Sequence, residues 1–416
     1  MPSASNGLVL QAAAVVSLLG LYVRLFPVGG YAVTVGGLAA GLVLLASLRA
    51  VRMRLLPLAG AAALLLWPLL LFQGGLLLDA QLVPAPAAFL QSWGLWSGSV
   101  GLITLACISE RPVHLSGAFP LSLVILAIGA GQWLLAGLAG SLAGFDIVAP
   151  LLGIDLAHGY QRIEPGWDVR AIGLYYEPSM CGRVLGTLAF IDFLQHRRPV
   201  RTVALLIAAM LLTRSLGLVV LAGAIGLLLL GRSWREGAAL ALLALLVLAL
   251  QGPAIEQRLR NDSRMQADSS SYRRTLTPLA PVARTLADHP AGVPVGANEL
   301  VAADTGYAVR TGEPRITNGV YEFLLYFGVF GLGAVAAGLL GVVALALSGQ
   351  RERAAALLYL LLSTALSGSF LSIESSLLTY YFLVACRAAH RHREPAACPV
   401  ATPAIRRQAW SLPAEG

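Results

Sequence analysis

The sequence predicts an all-α integral membrane protein of about twelve transmembrane helices, with two long periplasmic loops. Three observations predict this fold class. Of 416 residues, 57% are hydrophobic and only 12% are charged, about half the charge fraction usual in a soluble domain. Apolar runs recur along the chain at close to the ~20 residues that a crossing helix needs. The basic residues of the short connections, with those of the tail, all fall on one side once the runs are read as spans.

The expected spans lie at 7–26, 30–48, 56–73, 90–108, 118–144, 176–194, 200–213, 215–231, 236–252, 317–348, 353–372 and 374–389. The run 200–213 is short, which suits half of a hairpin buried in protein, and 317–348 is too long, which suits a helix that begins at the interface. Orientation comes from arginine, because the chain has no lysine and all 29 basic residues are Arg. Arg49, Arg52, Arg54, Arg111, Arg197, Arg198, Arg201, Arg232, Arg235, Arg351, Arg353, Arg387, Arg391 and Arg393 share one face. The positive-inside rule makes that face cytoplasmic, with both termini inside. The net charge of +8 is mostly this topological signal and does not call for nucleic acid.

The opening MPSASNGL has no basic stretch of the kind a signal peptide carries, so the first span is expected to be retained. Cys107, Cys181, Cys386 and Cys398 show no metal-ligand spacing, and neither disulfides nor zinc are expected. The end of the chain, 394–416, is rich in Pro and Ala and is expected to be a disordered cytoplasmic tail. The whole of 1–416 then forms one membrane domain.

Two long connections remain on the outer face, at 145–175 and 252–316. The second carries eight arginines, among them Arg273 and Arg274, and seven acids. Its length permits outer arginines but does not explain them. Arginine presents a fixed fork of donors that matches phosphate oxygens. An anionic headgroup at the membrane surface would suit such a set, either a lipid-linked pyrophosphate or a carboxylated sugar. Within this loop, 272–288 has Tyr272, Leu276, Leu279 and Val282 at helical spacing, and "HPAGVPVG" then breaks the pattern. A partly ordered loop folded back as a lid is expected.

Polar chemistry also gathers at span ends. "RAIGLYYEPS" places Arg170 and Glu177 directly before an apolar run, and Arg183 follows inside it. Arg214 separates two runs in "LLTRSLG", Glu322 opens the long run in "NGVYEFLLYFGVFGL", and Glu374 separates the last two. Ionisable groups at membrane depth are costly and point to function. The plain alternatives are that Glu177 pairs with Arg170 or Arg183 and ties helices, and that Arg214 snorkels. The small residues of "GLGAVAAGLLG" fit close helix packing, and a groove for a lipid chain is the other reading.

The order of motifs resembles a known family. Arg-x-x-Gly-(x)3-Glu-Pro-Ser precedes a span, a Thr-Arg-Ser hairpin follows, then a long outer loop with "YRR…DHPAGVPVG", then "TNGVYEFLLYFGVFGL". This is similar to the bacterial polysaccharide polymerase and O-antigen ligase superfamily of the Wzy and WaaL type, over roughly 165–335. The resemblance implies glycosyl transfer at the outer leaflet of the bacterial inner membrane, with a polyprenyl-pyrophosphate-linked oligosaccharide as donor. No cofactor, nucleotide or metal is implied. The expected partners are that glycolipid, membrane lipid, and a chain-length regulator or flippase of the same pathway, with no nucleic acid.

Ligases of the superfamily carry His-Asn where this chain has Thr317-Asn318, and His289 belongs to a different part of the pattern. That departure favours a polymerase over a ligase. A transporter is the alternative from another class, but the chain shows no convincing internal repeat of the kind transporters carry. Glu177 and Glu322 are the expected catalytic carboxylates. Arg170, Arg183, Arg214, Arg273 and Arg274, with Asn318 and Tyr321, are expected to bind pyrophosphate and glycan.

Overall fold

The computed structural model describes residues 4–28, 31–49, 51–52, 54–78, 80–153, 169–229, 276–366, 369 and 372–391, with single helical positions at 238, 245, 249, 252 and 256. Among them the chain is helical apart from one two-stranded hairpin and an isolated bridge between Val51 and Ser109. The expected span 236–252 falls largely outside the described residues, and so do Tyr272, Arg273, Arg274 and the tail 394–416.

Helix α1 (Ala4–Leu19) leads into the hairpin β1 (Arg24–Val28) and β2 (Tyr31–Thr34), then into α2 (Val35–Leu48). The sequence reading took 7–26 and 30–48 as uninterrupted spans, and the hairpin corrects both. Its residues are β-formers flanking a Gly-Gly pair, "RLFPVGGYAVT", a hairpin pattern that the apolar composition hides. Phe26 pairs with Val33 and Val28 with Tyr31. Thr34 then caps α2, its side-chain oxygen accepting from Gly37 N at 3.0 Å.

Next come α3 (Leu55–Leu77), α4 (Pro86–Ile108) and α5 (Ala118–Leu138). Pro68 lies inside α3 and has no N–H for the Leu64 carbonyl. The indole of Trp96 fills that place, donating to Leu64 O at 2.8 Å, while Trp93 donates to Leu65 O at 3.2 Å. In hydrocarbon such repair is needed, because water cannot supply the missing partner.

The stretch after α5 holds two single-turn helices, α6 (Ala143–Asp146) and α7 (Ala149–Leu152). Then follow α8 (Pro178–His196), α9 (Pro199–Thr213) and α10 (Leu216–Leu229). Only Arg214 and Ser215 separate α9 from α10, so the pair is a tight helical hairpin. Three short helices lie within the second long loop: α11 (Leu279–Asp288), α12 (Asn298–Asp304) and α13 (Tyr307–Thr311). The expected amphipathic helix therefore begins at Leu279, because the turn at 276–278 with Pro278 precedes it. Val282 is buried, whereas Leu276 and Leu279 are half exposed.

The chain closes with α14 (Gly319–Leu347), α15 (Arg351–Leu366) and α16 (Ile373–Arg391). Helix α14 is broken at Gly328, where φ is 57° and ψ is −136°. The excess length of the expected span 317–348 is thus divided between two helical pieces. The first piece is buried, while Leu339, Leu340, Val343 and Leu347 of the second are exposed.

The loop segment before α12 fills the break. Val329 N donates to Pro290 O at 2.9 Å, and Val293 N donates to Leu325 O at 2.8 Å. A Cβ at Gly328 would lie 2.1 Å from Pro290 O, so only glycine fits there. The second long loop is therefore docked into the helix and not merely laid over it.

Among the described residues, three helices are long and apolar enough to cross a membrane: α3, α5 and α14. Leu55, Leu56, Leu70 and Leu77 of α3 are exposed, as a lipid-facing surface requires. One buried apolar cluster joins α1, α2, α4, α5, α8, α9, α10, α15 and α16. A second joins α3, α4 and the first piece of α14 to the docked loop, through Phe72, Phe89, Trp96, Val293, Tyr307 and Phe327.

Candidate functional site

Polar groups converge where α8 begins, α9 ends and α16 begins. The segment 169–173 runs beside the end of α9: Ala171 N donates to Leu212 O at 2.9 Å, and Arg170 Nε donates to Thr213 O at 3.0 Å. The next residue, Arg214, has φ 44°, a left-handed conformation that a side-chain-bearing residue adopts at a cost of about 1–2 kcal/mol. Strain of this kind gathers at functional sites. Arg170 and Arg214, separated in sequence, are thereby brought to one place.

Gln132 of α5 holds this arrangement from beneath. It is buried, and its Oε1 accepts from Ile172 N at 3.1 Å and Gly173 N at 2.9 Å. Its Nε2 donates to Gly173 O at 3.0 Å and to Gly144 O at 3.3 Å. Without it, buried N–H groups would lose partners at about 1–3 kcal/mol each. The sequence reading missed Gln132. A lone amide inside an apolar run was the available signal, since such a group must find partners in hydrocarbon.

Glu177 sits at the N-cap of α8 with Pro178 after it. Its Oε2 accepts from Ser179 Oγ at 2.8 Å. Arg183, further along α8, is 4% exposed. Its Nη2 reaches Met180 Sδ at 3.3 Å, while Nε and Nη1 have no hydrogen-bond partner among the described residues. A buried guanidinium with two unused nitrogens is expensive. Tyr22, in the link between α1 and β1, lies within electrostatic reach of Glu374, Arg183 and Glu177. Burial pushes its phenol well above the ordinary tyrosine range, and the nearby Glu374 adds to this. Its ring meets Tyr175 edge-on with centroids 6.1 Å apart.

A second cluster forms around Glu322, which is 3% exposed. Its Oε1 accepts from Asn298 Nδ2 at 3.3 Å and Tyr326 Oη at 3.1 Å, and its Oε2 accepts from Ser369 Oγ at 2.8 Å. Asn298 also bonds both ways to the Ile316 backbone, at 3.0 and 2.9 Å. Asn318 caps α14, its Oδ1 accepting from Val320 N at 3.0 Å and Tyr321 N at 3.3 Å. Tyr321 is half-buried on the first turn of α14. Ser369, which donates to Glu322, precedes α16, and Glu374 stands in the first turn of that helix.

The structure thus brings Arg170, Glu177, Arg183 and Arg214 to one end of the bundle, with Tyr22 and Glu374 as additions. It places Glu322, Asn318 and Tyr321 in a neighbouring cluster. Arg273 and Arg274 lie outside the described residues.

These features are those of a helical membrane protein that gathers arginines and carboxylates at one end of its bundle. The chain belongs to the WcaD colanic acid polymerase family, whose model matches residues 9–388. It is accordingly a polysaccharide polymerase of the Wzy type. No curated protein matches it.

Proposed function

We propose that the protein polymerises polyprenyl-pyrophosphate-linked oligosaccharide repeat units into a surface or exopolysaccharide, at the outer leaflet of the bacterial inner membrane. The observation that carries this reading is the convergence of Arg170, Arg214 and the buried Arg183 at one end of the bundle, in a chain of a polymerase family. An acceptor hydroxyl attacks the anomeric carbon of the donor sugar. The bond to the pyrophosphate breaks, and polyprenyl pyrophosphate leaves with the electron pair. Arg170 and Arg214, joined by Arg273 and Arg274 of the outer loop, hold the charge that grows on the leaving group. No metal enters this scheme.

Glu177 belongs to the same end and orients the start of α8 beside the leaving group. Glu322 commits both oxygens to hydrogen bonds, which suits a tie between the docked loop, α14 and the α15–α16 connection. Through that tie Asn318 and Tyr321 stay at the mouth, where they meet the glycan.

The test is genetic and chemical. Deleting the gene should leave a single repeat unit on lipid in place of the polymer, detected by gel and mass spectrometry. Long chains retained on the polyprenyl carrier would replace this reading with that of a ligase.

A further inference from the structure

The sequence leaves the general base open between two carboxylates, and the structure brings in a third. We propose that Glu374 is the general base of the transfer and that Arg183 faces the acceptor sugar beside it. This assignment rests on the polymerase reading above.

Helices α8 and α16 lie side by side. Phe190 meets Phe382 with ring centroids 5.0 Å apart. Counted toward the site end from that contact, Arg183 and Glu374 each lie about two turns away, so they occupy one layer. Tyr22 closes the layer from the end of α1, which is fastened to α16 by a hydrogen bond between Ser17 and Tyr381 at 2.9 Å. The electrostatic coupling of Arg183 with Glu374 and of both with Tyr22 agrees with this placement.

Three features suit Glu374 to the role. It stands in the first turn of α16, where the helix dipole favours a carboxylate. Arg183 of α8 places a positive charge within electrostatic reach of it. It keeps part of its surface exposed among the described residues and bonds to Ser372 beside it. Glu322, by contrast, has both oxygens engaged in a closed cluster.

Among the described residues few other charged groups lie near Glu374, and Glu322 is reached through Ser369. Arg183 faces it from α8, Tyr22 from the α1 end, and Glu177 lies beyond Tyr22. Helices α2 and α4 carry no charged residue, and Arg351, Glu352 and Arg353 of α15 are at the opposite end of that helix.

In the step, the acceptor O–H proton moves to the Glu374 carboxylate as the oxygen bonds to the anomeric carbon. The anomeric carbon–oxygen bond to the pyrophosphate breaks, with the electron pair leaving on the pyrophosphate. Glu374 then returns its proton to solvent. The Nε and Nη1 donors of Arg183, which have no hydrogen-bond partner among the described residues, bind oxygens of the acceptor sugar.

The experiment uses the full chain in lipid nanodiscs with lipid-linked repeat units, and follows polymer formation across pH for wild type, Glu374→Gln, Glu374→Asp and the exposed Glu299→Gln. Loss of a general base is worth about 100- to 10,000-fold. Glu374→Gln should fall in that range and lose the decline in rate that wild type shows toward acid pH. Glu374→Asp should be slower than wild type, keep that decline and leave KM unchanged. Glu299→Gln should match wild type. A Glu374→Gln enzyme of near wild-type rate, or one that keeps the acid decline, overturns the proposal. If that variant fails to fold, an unchanged rate in Glu374→Asp overturns it instead. Absence of polymer from wild type itself would remove the polymerase reading, a separate failure.

Discussion

At the scale of single residues, Arg214 separates backbone from side chain. Its left-handed conformation favours glycine, so Arg214→Gly should raise stability by about 1 kcal/mol while abolishing polymer. Arg214→Lys keeps the strain and the charge but loses the fork. If the fork grips pyrophosphate, the rate should drop about tenfold to a hundredfold, the worth of a charge-assisted hydrogen bond. Melting curves and polymer ladders in a deletion strain read the two effects apart. Wild-type ladders from both variants would remove Arg214 from the site. The position of Arg170, Glu177 and Arg214 at the ends of apolar runs was legible because charge beside such runs stands out in sequence. That of Gln132 and Tyr22 was not, since their roles depend on which backbone atoms and charges the fold brings to them.

Among the elements, the apolar runs marked most helices within a few residues, since hydrocarbon thickness sets their length. The hairpin of Arg24–Thr34 escaped because its strands are as apolar as the spans beside it. The break at Gly328 escaped because an interrupted helix and a long one have the same composition. That break carries a prediction. Gly328→Ala would drive a methyl group onto Pro290 O and force a left-handed alanine. We expect a loss of about 2–5 kcal/mol from overpacking and strain combined, seen as low protein yield and protease cleavage in the loop. Gly292→Ala should behave alike, because its Cβ would meet the Tyr326 carbonyl at 2.7 Å from the other side. Normal yield from both would mean that the loop is not docked as described.

For the whole molecule, the arginine pattern predicts orientation. Reporter fusions at Arg54, His114, His196 and Gly349 should read cytoplasmic, and those at Pro150 and Asn261 periplasmic. A cytoplasmic signal at Asn261 would reverse the assignment and place the arginine site on the wrong face for an outer-leaflet glycolipid. The end with Arg201 and Asp192 is the one expected to face the cytoplasm. There, a bidentate pair of Arg201 with buried Asp192 and another of Arg197 with Glu352 hold the basic ends of α8, α9 and α15 together. Those bonds tie the helices at the end opposite the cluster of Arg170, Arg183 and Arg214.

The filled break in α14 also bears on how the chain is made. Residues 290–293 are synthesised before Gly328, so under the proposed orientation they cross the membrane before α14 is threaded. The backbone bonds between Pro290 and Val329 and between Val293 and Leu325 can form only after the α14 segment has been made. Moving the loop to the C-terminal end of the chain would reverse that sequence of events. Such a permuted protein should insert all its helices yet be degraded rapidly, as pulse-chase labelling would reveal. A lifetime equal to wild type would show that the loop can enter an α14 that has already settled in the bilayer.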